Sequence, residues 1–171
     1  TCLAETIVRS IPPRRTPSHL RAIFDILENA EPKGDTQLVP RLHELAETLG
    51  QRALVVLVSD LFVSPAELKE AFEHLRFRKH DVAVFHLLDP LELNFDFQRP
   101  MRFLDMEGGP SIFAEPNEIA DRYHKALGQY LDEMKSIVLT SGIDYHRVNI
   151  EDDFEGVLRE FLSARTRSRG S

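Results

Sequence analysis

The feature that most constrains the fold is an uninterrupted apolar run, Ala-Leu-Val-Val-Leu-Val, at residues 53–58. Its short length and its β-branched valines are typical of a strand rather than of a helix. Because polar residues do not alternate with the apolar ones, the run predicts a strand buried on both faces, as in a parallel sheet covered by helices. Residues 81–87 have the same character and predict a second strand of that sheet.

Segments with apolar residues at helical spacing lie before, between and after these strands. Thr16-Pro17 predicts one helix start, and Ser64-Pro65-Ala66-Glu67 predicts a capping box at another. A long helix is predicted from Pro116 to an end at Gly142. The other predicted elements are a helix with Leu38, Leu42, Leu45 and Leu49 on one face, a strand Tyr145–Ile150, and a last helix capped by Asp152 or Asp153. This alternation predicts an α/β fold, doubly wound around a mostly parallel sheet.

Residues 88–115 interrupt the alternation and predict a β-hairpin insertion. Two short extended segments flank Gly108-Gly109, a pair of residues typical of hairpin turns. Residues 88–100 are predicted to be a loop, and Phe95 and Phe97 are expected to pack inside the insertion. We therefore expect one domain over residues 1–164, followed by a basic, disordered tail at 165–171.

Composition excludes several classes of protein. With 42% hydrophobic and 29% charged residues, the chain of 171 residues is expected to be globular rather than disordered. Its net charge of −7 argues against a nucleic-acid partner, which would select a basic surface. The single Cys2 cannot form an internal disulfide, and no apolar run approaches the roughly 20 residues of a membrane-spanning helix. We expect a cytoplasmic location for this stretch.

The best candidate for a functional residue is Asp60, because ligands of open α/β sheets bind at the carboxyl ends of the strands. The second candidate is Thr36, which precedes a helix. A hydroxyl and a carboxylate suit a hard cation such as Mg²⁺, although two oxygens are too few to hold it alone. Each residue also has a structural interpretation, Asp60 as a turn aspartate and Thr36 as a helix cap, and Asp89 is interpreted as a turn residue.

Enzyme motifs are missing from the sequence. There is no Gly-x-Ser-x-Gly nucleophile elbow, and the seven histidines show no zinc-binding spacing. We expect His86 to be a hydrogen-bonded core histidine, and His43, His74 and His124 to lie at the surface or at its boundary. The chain is therefore predicted not to be an enzyme.

Two sets of motifs resemble known families. Gly-Asp-Thr-Gln-Leu at 34–38 and Leu-Val-Val-Leu-Val-Ser-Asp at 54–60 resemble the second and third metal-site motifs of von Willebrand factor A-type domains. Ser-Ile-Pro-Pro at 10–13, Val-Phe-His-Leu-Leu-Asp-Pro-Leu-Glu-Leu at 84–93 and Arg-Phe-Leu-Asp-Met-Glu-Gly-Gly at 102–109 are similar to the bacterial domain-of-unknown-function fifty-eight family. The resemblance covers nearly the whole chain.

The resemblance implies a metal-ion-dependent adhesion site in which Thr36 ligates the ion directly and Asp60 acts through water. The ion would be Mg²⁺, or Mn²⁺ or Ca²⁺, in the full-length domain. The implied function is a non-enzymatic, metal-assisted protein-interaction module, with a MoxR-type AAA+ ATPase as its partner. Whole members of the family often carry membrane-spanning segments upstream.

One departure from the family pattern shapes our expectations. The first metal motif of the adhesion site, Asp-x-Ser-x-Ser, does not occur here, and residues 3–8 read as if the chain began inside a strand. We interpret the sequence as N-terminally truncated, without the first central strand, so that metal binding by this stretch is weak or absent. Residues 53–58 would then form an open apolar edge, which predicts a homodimer through this edge or poor solubility.

An alternative from a different functional class is a receiver-like phosphoacceptor domain that uses Asp60. That chemistry needs further acidic residues on a first strand and a lysine at the end of a later strand. Residues 88 and 89 are Leu and Asp, so the expected lysine is missing at the next strand end.

Overall fold

The computed structural model describes residues 2–3, 7–9, 11, 16–29, 37–104 and 109–168. The strands are β1 (Cys2–Leu3), β2 (Ile7–Arg9), β3 (Leu54–Ser59), β4 (Asp81–Leu88), β5 (Met101–Phe103), β6 (Ile112–Ala114) and β7 (Asp144–Asn149). The helices are α1 (Pro17–Glu28), α2 (Leu38–Thr48), α3 (Pro65–Phe77), α4 (Pro90–Asn94), α5 (Pro116–Thr140) and α6 (Phe154–Ser168).

The central sheet has the strand order β3-β4-β7, and both pairings are parallel. Leu54 lies opposite Asp81 in the first pair, and Ala83 lies opposite Asp144 in the second. β1 with β2 and β5 with β6 form two separate antiparallel pairs. The carboxyl ends of the three parallel strands consequently lie at the same edge of the sheet.

Helices cover both faces of this sheet, as the predicted doubly wound α/β fold requires. On one face, buried side chains of α2, α3 and α5 pack against Leu57, Val82 and Val84. On the other face, Phe161 of α6 packs with Phe85 of β4 and with β7. Alternate residues of β4 contribute to the two cores, so β4 has the two-sided burial typical of a parallel strand.

The prediction that β3 is buried on both faces is wrong for the part of the chain that the structure describes. Val55 and Leu57 point to the helix-covered face, whereas Leu54, Val56 and Val58 are exposed. Among the described strands, β3 pairs with β4 alone, and α6 packs on β4 and β7 but not on the corresponding face of β3. The apolar run predicts the strand correctly but not its burial. Burial depends on neighbouring elements, which a local sequence pattern does not contain.

The predicted start of α3 is at the correct position, but the predicted capping hydrogen bonds do not form there. α3 begins after Ser64 with Pro65 in its first turn, but the Ser64 side chain makes no capping hydrogen bond. A capping box occurs instead at α4, where Asp89 accepts from the Leu91 amide at 2.7 Å and the Glu92 carboxylate accepts from the Asp89 amide at 3.3 Å.

The insertion is more ordered than the loop predicted for residues 88–100, because that segment contains α4. β5 and β6 form the predicted hairpin, whose turn residues 105–108 lie outside the described residues. Phe95 stacks on Tyr123 of α5 at 4.2 Å between ring centroids and contacts Phe97 at 5.1 Å. The prediction that Phe95 and Phe97 pack within the insertion is confirmed.

The end of the chain also needs a correction. α6 continues through Ser168, so residues 165–168 are helical rather than part of a disordered tail. Arg165 is largely buried and contacts Asp144 of β7 at 2.8 Å, which ties this turn of the helix to the sheet. Among the described residues, no helix combines the length and the apolar character that crossing a membrane would require.

Candidate functional site at the carboxyl end of the sheet

Asp60 lies at the predicted position, directly after β3 at the carboxyl edge of the sheet. Its side chain is exposed, and Oδ1 accepts hydrogen bonds from the Phe62 amide at 3.3 Å and from the Ser59 hydroxyl at 3.4 Å. These contacts hold the carboxylate in a local turn, the behaviour expected of an aspartate that precedes a helix. No described residue donates a hydrogen bond to Oδ2, so this oxygen is available to a ligand.

Leu61 fixes the turn to the protein core. It has a left-handed backbone conformation with φ of 55°, which is unfavourable for a leucine, and its side chain is completely buried. Burial against α3 and α5 compensates for this strain. The next residue, Phe62, is forced outward and is 88% exposed. We call residues 60–62 the Asp60–Phe62 loop.

Tyr130 of α5 supports the loop from below. Its hydroxyl donates a hydrogen bond to the backbone carbonyl of Leu61, which also accepts from the Val63 amide at 2.6 Å. Burial and the nearby Asp60 and Tyr145 raise the pKa of Tyr130 to about 12, so the phenol keeps its proton and remains a donor. The Tyr130 ring also lies 6.3 Å from the Phe62 ring.

His86 lies beneath the same loop and is fully buried, which confirms its prediction as a hydrogen-bonded core histidine. Its Nδ1 is 2.8 Å from the Tyr145 hydroxyl. Burial lowers the pKa of His86, while the backbone carbonyl and the carboxylate of Asp60 oppose this shift. Nε2 has no hydrogen-bond partner of good geometry among the described residues. His86 is therefore a neutral packing residue close to Asp60.

The other acidic residues at this edge have structural roles. Asp89, after β4, caps α4 as described above. After β7, Asp152 accepts from the Asn149 amide at 3.0 Å, and Asp153 accepts from the Glu155 and Gly156 amides at the start of α6. Asp60 differs from them because its carboxylate caps no helix, and α3 begins only after Ser64.

The proposed metal ligands Thr36 and Asp60 are not both described. Thr36, with Gly34 and Asp35, lies outside the described residues, so its pairing with Asp60 stays a prediction. Within the described ranges, no group of three His, Cys, Asp or Glu side chains is arranged to hold a metal ion. Asp60 supplies one carboxylate, of which one oxygen is already used in the turn, and this alone does not fit the six oxygen ligands that Mg²⁺ prefers.

His43 and His74 form a contact that the sequence did not indicate. They were expected at the surface or its boundary, and both are half-buried between α2 and α3. Their Nδ1 atoms are 2.9 Å apart, and Nε2 of His74 lies 2.7 Å from Glu47, which also contacts Arg78 at 3.4 Å. These side chains link two helices on one face of the sheet.

Comparison with known families places the chain. The family model described as "Protein of unknown function DUF58" matches residues 1–129. The chain belongs to this family. No match was found among curated proteins or among solved structures. The matched range includes β3, β4, the Asp60–Phe62 loop and the insertion, whereas Tyr130, which supports the loop, lies just after it.

Proposed function

We propose that this chain is a non-enzymatic protein-interaction domain whose contact surface centres on the Asp60–Phe62 loop. The observation that carries the proposal is the 88% exposed Phe62 beside the exposed Asp60 carboxylate, on a loop anchored by buried Leu61. An exposed aromatic ring beside a buried anchor residue can fill a pocket of a partner. The adjacent carboxylate adds a charged contact that fixes orientation.

The partner we propose is a MoxR-type AAA+ ATPase, as the resemblance of the sequence implies. The Asp60–Phe62 loop would be complemented by an apolar pocket on the partner, next to a basic side chain of the partner or a bound cation. An interaction domain of this kind needs no catalytic group at the contact, and the buried His86 beneath the loop hydrogen-bonds Tyr145.

The proposal also includes a divalent cation, Mg²⁺ or else Mn²⁺ or Ca²⁺, bound at the contact surface. The described residues do not fit a complete cation site, so Asp60 would need Thr36 and further oxygen ligands to hold an ion. The direct contact of Phe62 and Asp60 with a partner does not depend on that ion.

Substitutions in the loop test the proposal by titration calorimetry with the MoxR-type ATPase of the same organism. Phe62→Ala should weaken binding by at least about tenfold, because a central aromatic contact is typically worth more than about 1.4 kcal/mol. Asp60→Asn should also weaken binding, since it keeps the turn acceptor but removes the charge. Phe113→Ala, at a phenylalanine on β6 that is 68% exposed, is the control and should bind normally.

The outcomes separate the two parts of the proposal. Unchanged affinity of Phe62→Ala and Asp60→Asn would contradict the interaction surface itself. If binding is lost in these variants but is the same with Mg²⁺ and with a chelator, the surface stands and the cation is ruled out of the contact.

The receiver-like alternative gains no support from a described contact. Position 89, after β4, is an aspartate that caps a helix, where the phosphoacceptor chemistry would need a lysine. Incubation with acetyl phosphate should leave Asp60 unmodified, as judged by intact mass. A mass increase of one phosphoryl group that Asp60→Asn abolishes would reverse this conclusion.

A further inference from the structure

His43 of α2 and His74 of α3 bring two ring nitrogens together where the helices meet. Their Nδ1 atoms are 2.9 Å apart, and the ring centroids are 5.2 Å apart. Each histidine is next to a residue of the larger core, Leu42 in α2 and Leu75 in α3, and both of these leucines are buried. The packing of the two helices therefore sets the separation of the two nitrogens.

Glu47 determines which nitrogen of His74 carries the proton. Its Oε1 is 2.7 Å from His74 Nε2, and a carboxylate accepts hydrogen bonds but does not donate them. Nε2 therefore holds the hydrogen, and Nδ1 of the neutral ring directs its lone pair toward His43. Arg78 keeps Glu47 in place, because its guanidinium lies 3.4 Å from Oε2 and also donates to the Ala46 carbonyl at 3.2 Å.

The same arrangement orients histidine ligands in metal sites. There, a carboxylate accepts a hydrogen bond from one ring nitrogen, fixes the tautomer and leaves the other nitrogen to bind the metal. As a neutral ring, His43 donates from Nδ1 to His74. If its proton moves to Nε2, His43 presents a second lone pair at the same point. Two lone pairs that converge repel each other unless a positive charge lies between them, and a metal ion supplies that charge.

We propose that His43 and His74 bind one Zn²⁺ ion through their Nδ1 atoms, with Glu47 as the residue that positions His74. Imidazole nitrogen is a good ligand for Zn²⁺, whereas Mg²⁺ and Ca²⁺ prefer oxygen. At Zn–N distances of about 2.0–2.1 Å, two nitrogens 2.9 Å apart can both reach one ion. A tetrahedral angle needs a separation of about 3.3 Å, which a side-chain movement of about 0.4 Å provides.

The ion would link α2 to α3 and keep open coordination positions. No third His, Cys, Asp or Glu side chain of the described ranges joins the pair to form a closed site, so water or a ligand from another molecule completes the shell. The His74 side chain is 25% exposed, which gives the ion and its waters access. Because the two nitrogens meet only when the helices are packed, binding should stabilise the folded chain.

Titration calorimetry with zinc chloride provides the first test. The parent for all variants is the 171-residue chain with Cys2→Ser and without a polyhistidine tag. It should bind one Zn²⁺ per chain, and Mg²⁺ should not compete. His43→Gln and His74→Gln should each weaken binding by at least about tenfold, because each removes one of the two protein ligands. The matched control is His124→Gln, at an exposed histidine 3.1 Å from the Asn94 carbonyl, and it should bind like the parent.

Glu47→Gln separates positioning from ligation. The amide oxygen of glutamine still accepts from His74 Nε2 but carries no charge, so Zn²⁺ binding should weaken by about tenfold although both ligands remain. Nitrogen NMR of the imidazole rings identifies the ligating atoms. Zn²⁺ should shift the Nδ1 signals of His43 and His74 and leave their Nε2 atoms protonated. Circular dichroism checks that each variant is folded.

Three results would overturn the proposal: no saturable Zn²⁺ binding by the parent, equal affinity in the parent and in both ligand variants, or coordination through Nε2. Binding that His124→Gln weakens as much as His74→Gln would indicate adventitious surface binding and would count against it as well. The inference does not rest on the proposed function, because none of these variants changes the Asp60–Phe62 loop and the loop variants leave both histidines in place.

Discussion

Leu61 connects the protein core to the candidate binding loop. Its side chain is buried among residues of α3 and α5, while its backbone adopts a conformation that leucine rarely takes. The Tyr130 hydroxyl holds its carbonyl from one side, and Asp60 and Phe62 project from either end. The position of two exposed side chains thus depends on one buried side chain and on the hydrogen bonds of the turn, to which Tyr130 adds a contact from α5.

Tyr130→Phe should separate support of the loop from general stability. Loss of the hydrogen bond to the Leu61 carbonyl is expected to lower the free energy of unfolding by about 1 kcal/mol. It should also weaken partner binding, although Phe62 and Asp60 remain. The matched control is Tyr123→Phe, which removes a similar bond from α5 to the Glu92 carbonyl at 2.9 Å. If both variants bind equally well, Tyr130 has no role in positioning the loop.

His86 should make stability depend on pH. Its folded-state pKa is lowered, mainly by burial, so the unfolded chain binds a proton more readily than the folded chain. The free energy of unfolding should therefore be highest above about pH 6.5 and should decrease as the pH falls below that value. His86→Asn keeps a polar atom for Tyr145 and should flatten this dependence. Urea unfolding at several pH values measures the free energy of unfolding of both proteins. The same decrease with falling pH in the parent chain and in His86→Asn would contradict the expectation.

At the scale of elements, α3 and α5 end in the same backbone motif with different residues. After α5, the Ile143 amide bonds to the Val138 carbonyl and Gly142 has a φ of 68°. After α3, the His80 amide bonds to the Leu75 carbonyl, but the left-handed position, with φ of 64°, is Lys79. Glycine suits this conformation and lysine does not.

Lys79→Gly should therefore stabilise the fold by about 1 kcal/mol, and Gly142→Ala should destabilise it by a similar amount. A Cβ at position 142 would lie 3.7 Å from the Arg76 side chain, an ordinary contact, so the expected cost is conformational rather than steric. Thermal and urea unfolding measure both changes. The same sign of change for the two variants would contradict this explanation of the two helix ends.

For the whole molecule, the hydrophobic cores on the two faces of the sheet differ in size. Three helices form the larger core, whereas the smaller one depends on Phe161 of α6 and its contacts with Phe85 and His146 at 5.2 and 5.3 Å between ring centroids. α1 contributes no buried side chain, although its apolar stripe is as regular as those of the other helices. Stability should therefore be distributed unevenly.

Phe161→Ala should lower the free energy of unfolding by about 3 kcal/mol, since it removes the largest side chain that α6 contributes to the core. Hydrogen exchange should become faster in α6 before it changes in α3. Phe154→Ala, at a 69% exposed phenylalanine of the same helix, is the control and should have little effect. Equal losses from both substitutions would mean that α6 is not held by Phe161.

Local patterns in the sequence predicted most of the architecture but only part of the candidate site. The apolar run at 53–58 gave β3 within one residue of its observed bounds, and Asp60 followed from the end of that strand. The contact of Tyr130 with Leu61 joins residues 69 positions apart, so no local pattern indicates it. The exposure of one β3 face depends on which neighbours cover it. The left-handed Leu61 also required the structure, because leucine is not a residue that marks such a conformation.

The buried anchor of the Asp60–Phe62 loop has a practical consequence for mutational surveys. Any substitution that loosens the packing around Leu61 will increase the mobility of Phe62. It will lower the affinity for the partner although every contacting atom of the loop is still present. Loss-of-binding variants will thus cluster both on the outside of the loop and deep beneath it, and melting temperature alone will tell the two groups apart.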